Sequence, residues 1–302
     1  MPEKKVDLSV IVLSYNTRKL LQQCLTSLIG SSPSLRVKII VVDNASVDGS
    51  PEMVEQEFPQ VRLIINQANV GFAKGNNIGL KEAEGDFVLF LNSDTKVEPG
   101  GLKEAVDFMR TDEKIGALSA KTLLASGKID PDCHRGFPTP WASITYFLGL
   151  EKLFPQSRLF GQYHQLYLGL DRNHEIDAGA GAFMMIRREI IKKVGSWDEK
   201  YFFYGEDLDF FYRIKQAGYK VMFYAKPLLI HYKGASSGLR KESKGISTRE
   251  NRLRVARASV KAMEIFYRKF YQGKYPGWLT WLVLLGIKIK GFFRVSSHYL
   301  KR

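Results

Sequence analysis

A chain of 302 residues with 45% hydrophobic content can bury a substantial core, as one large domain with an appendage or as two modest domains. Its two cysteines, Cys24 and Cys133, exclude a disulfide framework and a cysteine metal cluster, which fits a reducing cytosol. The placement of the net charge of +14 argues against a nucleic-acid binder, because residues 240–302 hold 16 Lys and Arg against 3 acids while residues 1–239 hold 29 against 28.

The N-terminus, Met-Pro-Glu-Lys-Lys, leads directly into a β-rich stretch at residues 7–13, and no secretory signal is expected. The polar turn Ser14-Tyr15-Asn16-Thr17 follows, then a helical pattern carried by Leu20, Leu21, Cys24, Leu25 and Leu28 that stops at Gly30. Residues 37–42 form a second apolar run, which ends in Asp43-Asn44-Ala45-Ser46-Val47-Asp48-Gly49-Ser50. A third strand is expected at 61–65 and a helix from about 71 to 83.

Residues 87–91, Phe-Val-Leu-Phe-Leu, are too few for a helix and suit a strand buried on both faces at the centre of a sheet. They discharge into Asn92-Ser93-Asp94, so polar groups emerge at the carboxyl edge, where open α/β sheets place their binding crevice. As the blander alternative, these three residues cap the next helix. The β-α-β-α-β-α-β spacing implies a parallel sheet with right-handed crossovers and a nucleotide site at that edge.

A helix at 99–110 and a short strand at 115–120 come next, and then regularity fades. Residues 126–177 are rich in Pro, Gly and aromatics, the composition of a pocket wall or lid for an acceptor, or of a second small core. An Ala- and Gly-rich strand is expected at 176–186, and after it the acid- and aromatic-dense run from Trp197 to Asp209. Glu206 and Asp207 fall on the first turn of a helix, as dipole-compensating acids or as a proton acceptor. Two further strands are expected at 220–224 and 228–232, the second carrying His231, and a linker at 234–247.

Beyond the linker, Leu253, Ala256, Val260, Met263, Tyr267 and Phe270 recur at helical spacing beside the basic stripe Arg254, Arg257, Lys261 and Arg268. Residues 278–287 carry no charge, but ten residues are half of the roughly 20 needed to cross a bilayer. The composition of this tail suits a helix lying on an anionic membrane surface, or one packing on the body or on a second subunit in a homo-oligomer.

The segments Asp43 to Ser50, Asn69-Val70-Gly71-Phe72-Ala73-Lys74-Gly75-Asn76-Asn77-Ile78-Gly79, Leu91 to Thr95, Phe203 to Asp209, and His231 together resemble the family 2 inverting glycosyltransferases, especially the bacterial rhamnosyltransferase-like branch, over roughly residues 7–233. The resemblance implies an α/β GT-A fold for residues 1–235, with a nucleotide-sugar half to about 120 and an acceptor half from about 121, followed by a basic amphipathic helical tail at 236–302. It implies that Asp43 contacts the base, with Ser14, Tyr15 and Asn16 beside the nucleotide and Asn69, Gly71, Lys74 and Asn76 lining the donor site. Asp94 matches the last acid of the family's Asp-x-Asp metal motif, Asp207 the general base, flanked by Glu206, and His231 a histidine that in some relatives joins the metal.

Those residue types suit the chemistry. A departing nucleoside diphosphate develops charge that Mg²⁺ or Mn²⁺ on hard oxygen ligands offsets, and the attacking hydroxyl must give up a proton. One departure is Asn92, an amide where the family has an acid, so a weaker metal site is expected.

The expected function is transfer of a sugar, rhamnose from dTDP-rhamnose as the best single choice, to a hydroxyl of a lipid-linked glycan at the inner face of the membrane. The alternatives are a sugar-nucleotide nucleotidyltransferase, disfavoured by the absence of a Gly-rich loop at residues 14–17, and an inactive membrane-associated binding protein, favoured only by Asn92.

Overall fold

The computed structural model describes residues 6–233 and 249–300. The linker expected at 234–247 lies outside them.

Strands β1 (Leu8–Ser14), β2 (Val37–Asp43), β3 (Arg62–Ile65) and β4 (Phe87–Asn92) pair in parallel in the order β3-β2-β1-β4, joined by α1 (Arg18–Gly30), α2 (Ser50–Glu57) and α3 (Phe72–Leu80). Both faces are covered. Leu8, Val10 and Val12 pack with α1, α2 and α4 (Gly101–Arg110), whereas Ile11 points the other way with Ala73 of α3, the period-2 alternation of a strand. Helix α3 lies unusually close to the sheet because Gly75 and Gly79 face it, and a Cβ on Gly79 would come within 2.7 Å of Ile11 Cγ2. The register sets Ser14 opposite Asp43 and Leu13 opposite Asn92, so three strands deliver their polar ends to one edge.

The sheet is not wholly parallel. Beyond β4 comes β8 (Phe183–Arg187), antiparallel to it and to β6 (Ile115–Leu124); β9 (Lys220–His231) follows parallel to β6, and β5 (Thr95–Val97) closes the edge. Two expectations are corrected. The strand at 176–186 is two pieces, β7 (His174–Ile176) and β8, separated by the non-strand run Asp177 to Ala182. The two strands at 220–232 are one, which passes through Pro227 by shifting its register against Lys121.

Residues 126–177 fold over the carboxyl edge, with α5 (Pro140–Phe147) and α6 (Leu150–Leu153) among them. Thr139 caps α5 by accepting from Ala142 N, and Pro140 opens its first turn. Histidines fasten this segment inward: His134 Nε2 lies 2.6 Å from His174 Nε2 on β7, and His134 Nδ1 lies 2.7 Å from the His164 carbonyl oxygen.

Two imidazoles share a hydrogen bond only while one of them is neutral. Burial, and then the neighbouring His174, bring the His134 pKa from 6.5 down to about 4. A histidine that resists protonation in the folded state contributes stability that is whole above pH 6.5 and lost as pH falls toward 4, a difference of about 3 kcal/mol. The stability gap between wild type and His134→Gln, from denaturant midpoints, is therefore expected to shrink as pH is lowered through that window; a gap independent of pH would refute this.

Helices α7 (Arg188–Val194) and α8 (Glu206–Gln216) cover the second face, and α9 (Arg249–Phe270) packs over them. Ala256, Ala262, Phe266 and Phe270 of α9 are buried, Phe270 against Tyr212 at 4.3 Å between ring centroids. Lys269 reaches Asp209 on α8 at 2.7 Å and Asp198 at 2.6 Å. The apolar spacing of residues 253–270 is thus spent on the body of the protein.

Helix α10 (Gly277–Leu300) turns back along α9, close enough at Gly291 that a Cβ there would meet Val260 Cγ1 at 2.7 Å. Another side of α10 is exposed: Trp278 (66%), Trp281 (63%), Leu282, Leu285, Ile289, Phe292 (69%) and Phe293 fall within roughly a third of the helix circumference. Among the described residues no helix is long and apolar enough to cross a membrane.

Candidate active site

A cleft of about 1100 Å³ opens at the carboxyl edge of the sheet. Ser14, Tyr15, Asn69, Gly71, Asn92, Asp94, Glu206, Asp207 and His231 all line it, so residues spread over more than two hundred positions converge there.

At one end of the cleft the loops after β1 and β2 are tied together. Asn44 N donates to the Ser14 carbonyl at 2.9 Å, Val47 N to Asn16 Oδ1 at 2.9 Å, and Asn16 N to Ser46 Oγ at 2.8 Å. Asn16 and Ala45 hold φ of 53° and 62°, left-handed conformations that non-glycine residues keep where the surroundings force them. Asp43 is fully buried; its Oδ1 accepts from Ser46 N at 2.7 Å, while Oδ2 has no partner among the described residues. Burial pushes its carboxyl up, only partly countered by Ser46. Asp43 thus braces the turn after β2 from behind and does not present its carboxylate to the cleft, which departs from the expected contact with the base.

Asn69 Oδ1 accepts from Gly71 N at 3.0 Å, fixing the turn that enters α3. Gly71 has φ 88°, and a Cβ there would lie 2.6 Å from the Phe202 carbonyl, so only glycine fits between these loops. Four expected donor-site residues stand apart from the cleft lining: Asp43 and Asn16 belong to the loops behind it, Lys74 is exposed on α3, and Asn76 is buried with its amide donating to Phe72 O at 3.1 Å in its own helix. For Asn76 the structure corrects the expectation, because a helix-interior amide that bonds to the carbonyl four residues back offers that hydrogen to no ligand.

At the end of β4, Asp94 is buried, and its Oδ1 lies 3.1 Å from His231 Nε2, brought there by the pairing of Thr95 with His231. The other imidazole nitrogen lies 3.2 Å from Asp130 Oδ2, and Lys233 Nζ is 2.5 Å from Asp130 Oδ1 and also bonded to Asp132. Burial opposes the charge on His231, but hydrogen bonds to Asp130 and Asp94 more than offset it and raise its pKa to about 9.

Because the two carboxylates sit on opposite nitrogens of one ring, Asp94, His231 and Asp130 cannot converge on a single ion, and among the described residues no three His, Cys, Asp or Glu side chains could hold one. Of these three side chains only the expected pair, Asp94 and His231, shares one side of the ring. A two-donor site does fit: oxygen and nitrogen 3.1 Å apart have the spacing of adjacent octahedral ligands with bonds of about 2.1 Å, once the imidazole gives up its proton.

Asp207 opens α8. Its Oδ2 accepts from Arg135 Nη2 at 2.6 Å and from Gly181 N at 3.3 Å, and its Oδ1 from Leu208 N at 2.8 Å. Arg135 also donates to the Gly179 carbonyl. Neighbouring Glu206 is 6% exposed with Oε2 unpartnered among the described residues, and burial followed by the adjacent Asp207 push its carboxyl well up. The two adjacent carboxyls thus sit in different environments, one paired with a guanidinium and one buried so that its protonated form is favoured, an arrangement suited to distinct proton-handling roles. Tyr204 enters this turn at φ 72°, another left-handed residue at the cleft.

Arg135, Asp130, Asp132 and Lys233 were not among the residues expected from sequence. The one signal for them was the pair of acids in Asp130-Pro131-Asp132 inside an otherwise apolar and aromatic segment.

The profile of glycosyl transferase family 2 matches residues 9–195. The chain belongs to that family. This glycosyltransferase is 26% identical over 306 residues to the N-acetylglucosaminyl-diphospho-decaprenol L-rhamnosyltransferase of Mycobacterium tuberculosis, covering 98% of the chain and 93% of that relative. It is 36% identical to the poly(ribitol-phosphate) beta-N-acetylglucosaminyltransferase TarS of Staphylococcus aureus, over only 105 residues, or 33% of the chain and 18% of that relative.

Among solved structures the enzyme resembles the mannosyltransferase PcManGT of Pyrobaculum calidifontis in complex with GDP-Man and Mn²⁺, with TM-score 0.57 and 18% identity over 99% of the chain and 74% of that protein. It also resembles residues 1–349 of S. aureus TarS in complex with UDP, with TM-score 0.53 and 20% identity over 95% and 81%. These two likenesses establish the GT-A fold of the glycosyltransferase.

Proposed function

We propose that this enzyme transfers rhamnose from dTDP-rhamnose, with inversion at the anomeric carbon, to a hydroxyl of a lipid-linked glycan at the inner face of a bacterial cell membrane, as a step in building a cell-surface polysaccharide. The observation that carries the proposal is the extent of the similarity to the mycobacterial rhamnosyltransferase. The family profile ends at residue 195, yet that similarity continues through nearly the whole chain, including the region of α8, α9 and α10.

In this mechanism the base lies against the loops after β1 and β2, which Asp43 braces from behind through Ser46, and Ser14, Tyr15 and Asn69 border the nucleotide. Asp207 takes the proton of the attacking hydroxyl as its oxygen bonds to the anomeric carbon and the bond to the diphosphate breaks. Arg135 and Gly181 N hold Asp207 at the cleft, and Glu206, whose Oε2 has no partner among the described residues, borders the attacking hydroxyl. Asp94 and His231 would hold Mg²⁺ or Mn²⁺, which when bound offsets the charge developing on the leaving diphosphate.

The exposed apolar stripe of α10 together with the basic composition of residues 240–302 supports a membrane-surface location, each cation near an anionic leaflet contributing about 1 kcal/mol. One experiment tests both parts: transfer from dTDP-rhamnose, UDP-galactose, UDP-glucose and GDP-mannose to an N-acetylglucosaminyl-diphosphoryl lipid embedded in anionic liposomes, with co-sedimentation measured as salt is raised. Rhamnose is expected to be transferred fastest, and bound protein to fall with salt. A different preferred donor would overturn the sugar assignment, and failure to co-sediment at low salt the membrane assignment.

A further inference from the structure

Helix α10 turns a third side into the cleft, on which Leu279, Val283 and Ile287 are followed at helical spacing by Lys290 and Arg294. Both cations are half-buried, and among the described residues neither has a carboxylate partner. Lys290 Nζ rests 3.9 Å from the centroid of Phe147 on α5. Burial, then repulsion from Arg294, lower the Lys290 pKa to about 8, so the two basic side chains share a partly apolar groove in which an anion would favour the charged form of both.

The contacts fix how this groove runs. Gly291 abuts Val260 of α9, and nearby on the same helix Ala262 lies beside Gly205, just before Asp207; Lys290 and Arg294 are therefore level with the catalytic carboxylate. A chain of rings joins the two places, from Lys290 over Phe147, to Tyr146 at 5.6 Å and Tyr163 at 4.8 Å, with Tyr163 close enough to Arg135 to feel its charge. Toward its other end α10 nears Thr280, which meets Tyr267 at 3.1 Å, and there the apolar groove residues give way to exposed Trp278 and Trp281.

We infer that Lys290 and Arg294 bind the diphosphate of an isoprenoid-diphosphate-linked acceptor, with the first part of the hydrocarbon lying along Leu279 to Ile287 toward the membrane, an inference that rests on the lipid-linked acceptor proposed above. The order of chemistry along the cleft matches the order of groups in such a molecule: a sugar hydroxyl at Asp207, two phosphates at cations that have no carboxylate partner among the described residues, then an apolar chain that leaves beside two tryptophans, residues that favour membrane interfaces. The donor's own diphosphate belongs at the other end of the site, near Asp94.

The test uses the full chain and farnesyl diphosphate, farnesol and inorganic diphosphate as probes, read by intrinsic tryptophan fluorescence and calorimetry. Farnesyl diphosphate is expected to bind wild type and to bind the Lys290→Gln/Arg294→Gln double variant about tenfold or more weakly, the scale of losing charge-assisted hydrogen bonds, while Lys290→Arg restores part of the loss. The thermal midpoint of each variant shows whether it is folded, and affinity for the donor nucleotide diphosphate is measured alongside.

Equal binding of farnesyl diphosphate by wild type and the double variant would overturn the inference, as would farnesol binding as tightly as its diphosphate, or an equal loss of affinity for the donor nucleotide. Because these probes carry no sugar, a wrong assignment of rhamnose or of the acceptor glycan would leave their result intact. Conversely, if transfer to the lipid-linked acceptor proceeds while farnesyl diphosphate ignores both cations, the diphosphate site fails and the transfer assignment stands.

Discussion

Asp207→Asn is expected to lower turnover by at least about a hundredfold, the usual scale of a general base, while leaving nucleotide binding intact. The carboxylate stands at the first turn of α8 in the cleft, held by Arg135, Gly181 N and Leu208 N, and an asparagine keeps one acceptor oxygen, enough for Arg135 and Gly181 N, while losing basicity. Because Arg135 is only 9% exposed, removal of its charge partner also costs stability, so turnover is compared at a temperature where both proteins are folded. Near-normal turnover by the folded variant would move the base to Glu206, since Asp209 is fully buried between Arg213 and Lys269. A loss of nucleotide affinity matching the loss of turnover would show instead that Asp207 shapes the donor site.

The second large effect is expected at Asp94. Titration of dTDP or UDP into the protein with Mn²⁺ should show at least about tenfold higher affinity than titration with EDTA, because a divalent ion shared between carboxylate and phosphates neutralises both. Asp94→Ala should remove that difference and, with it, most transfer. Removal of the carboxylate also frees His231 Nε2, leaving the ring bonded to Asp130 alone, so His231→Ala serves as the companion variant. If affinity with Mn²⁺ equals that with EDTA, the contact between Asp94 and His231 is a structural hydrogen bond and no ion is involved in holding the nucleotide.

Much of the nucleotide half could be read from the chain, for a physical reason. Parallel strands buried on both faces appear as unbroken apolar runs, and residues 8–13, 37–42 and 87–91 have few other uses. Their polar ends then had to lie at one edge, because strands joined by helical crossovers run parallel.

The remainder depends on pairings that no local pattern encodes. Strand β8 pairs with β4 about a hundred residues away, and Arg135 meets Asp207 across a separation of 72. Pro227 suggested a break, since proline cannot donate to a ladder, but the bulge against Lys121 removes that requirement. The apolar spacings of α9 and α10 look alike in sequence; burial divides them, because Phe266 and Phe270 meet Tyr212 whereas Trp278 and Trp281 are mostly exposed.

The antiparallel insertion of β8 between β4 and β6 constrains how this enzyme can move and how it could be rebuilt. Strand β8 lies between the parallel strands β1 to β4 and the strands β6 and β9, so among the described residues a single hydrogen-bonded sheet joins the two groups of strands. Opening and closing over substrates must then fall to the loops at the carboxyl edge, above all residues 126–177 and the turn at Tyr204, instead of to rotation of one lobe against another. For the same reason a chimaera that joined this donor half to another enzyme's acceptor half at residue 120 would have to supply its own strand beside Phe87 to Leu91, and without it would expose the most apolar edge of the sheet to aggregation.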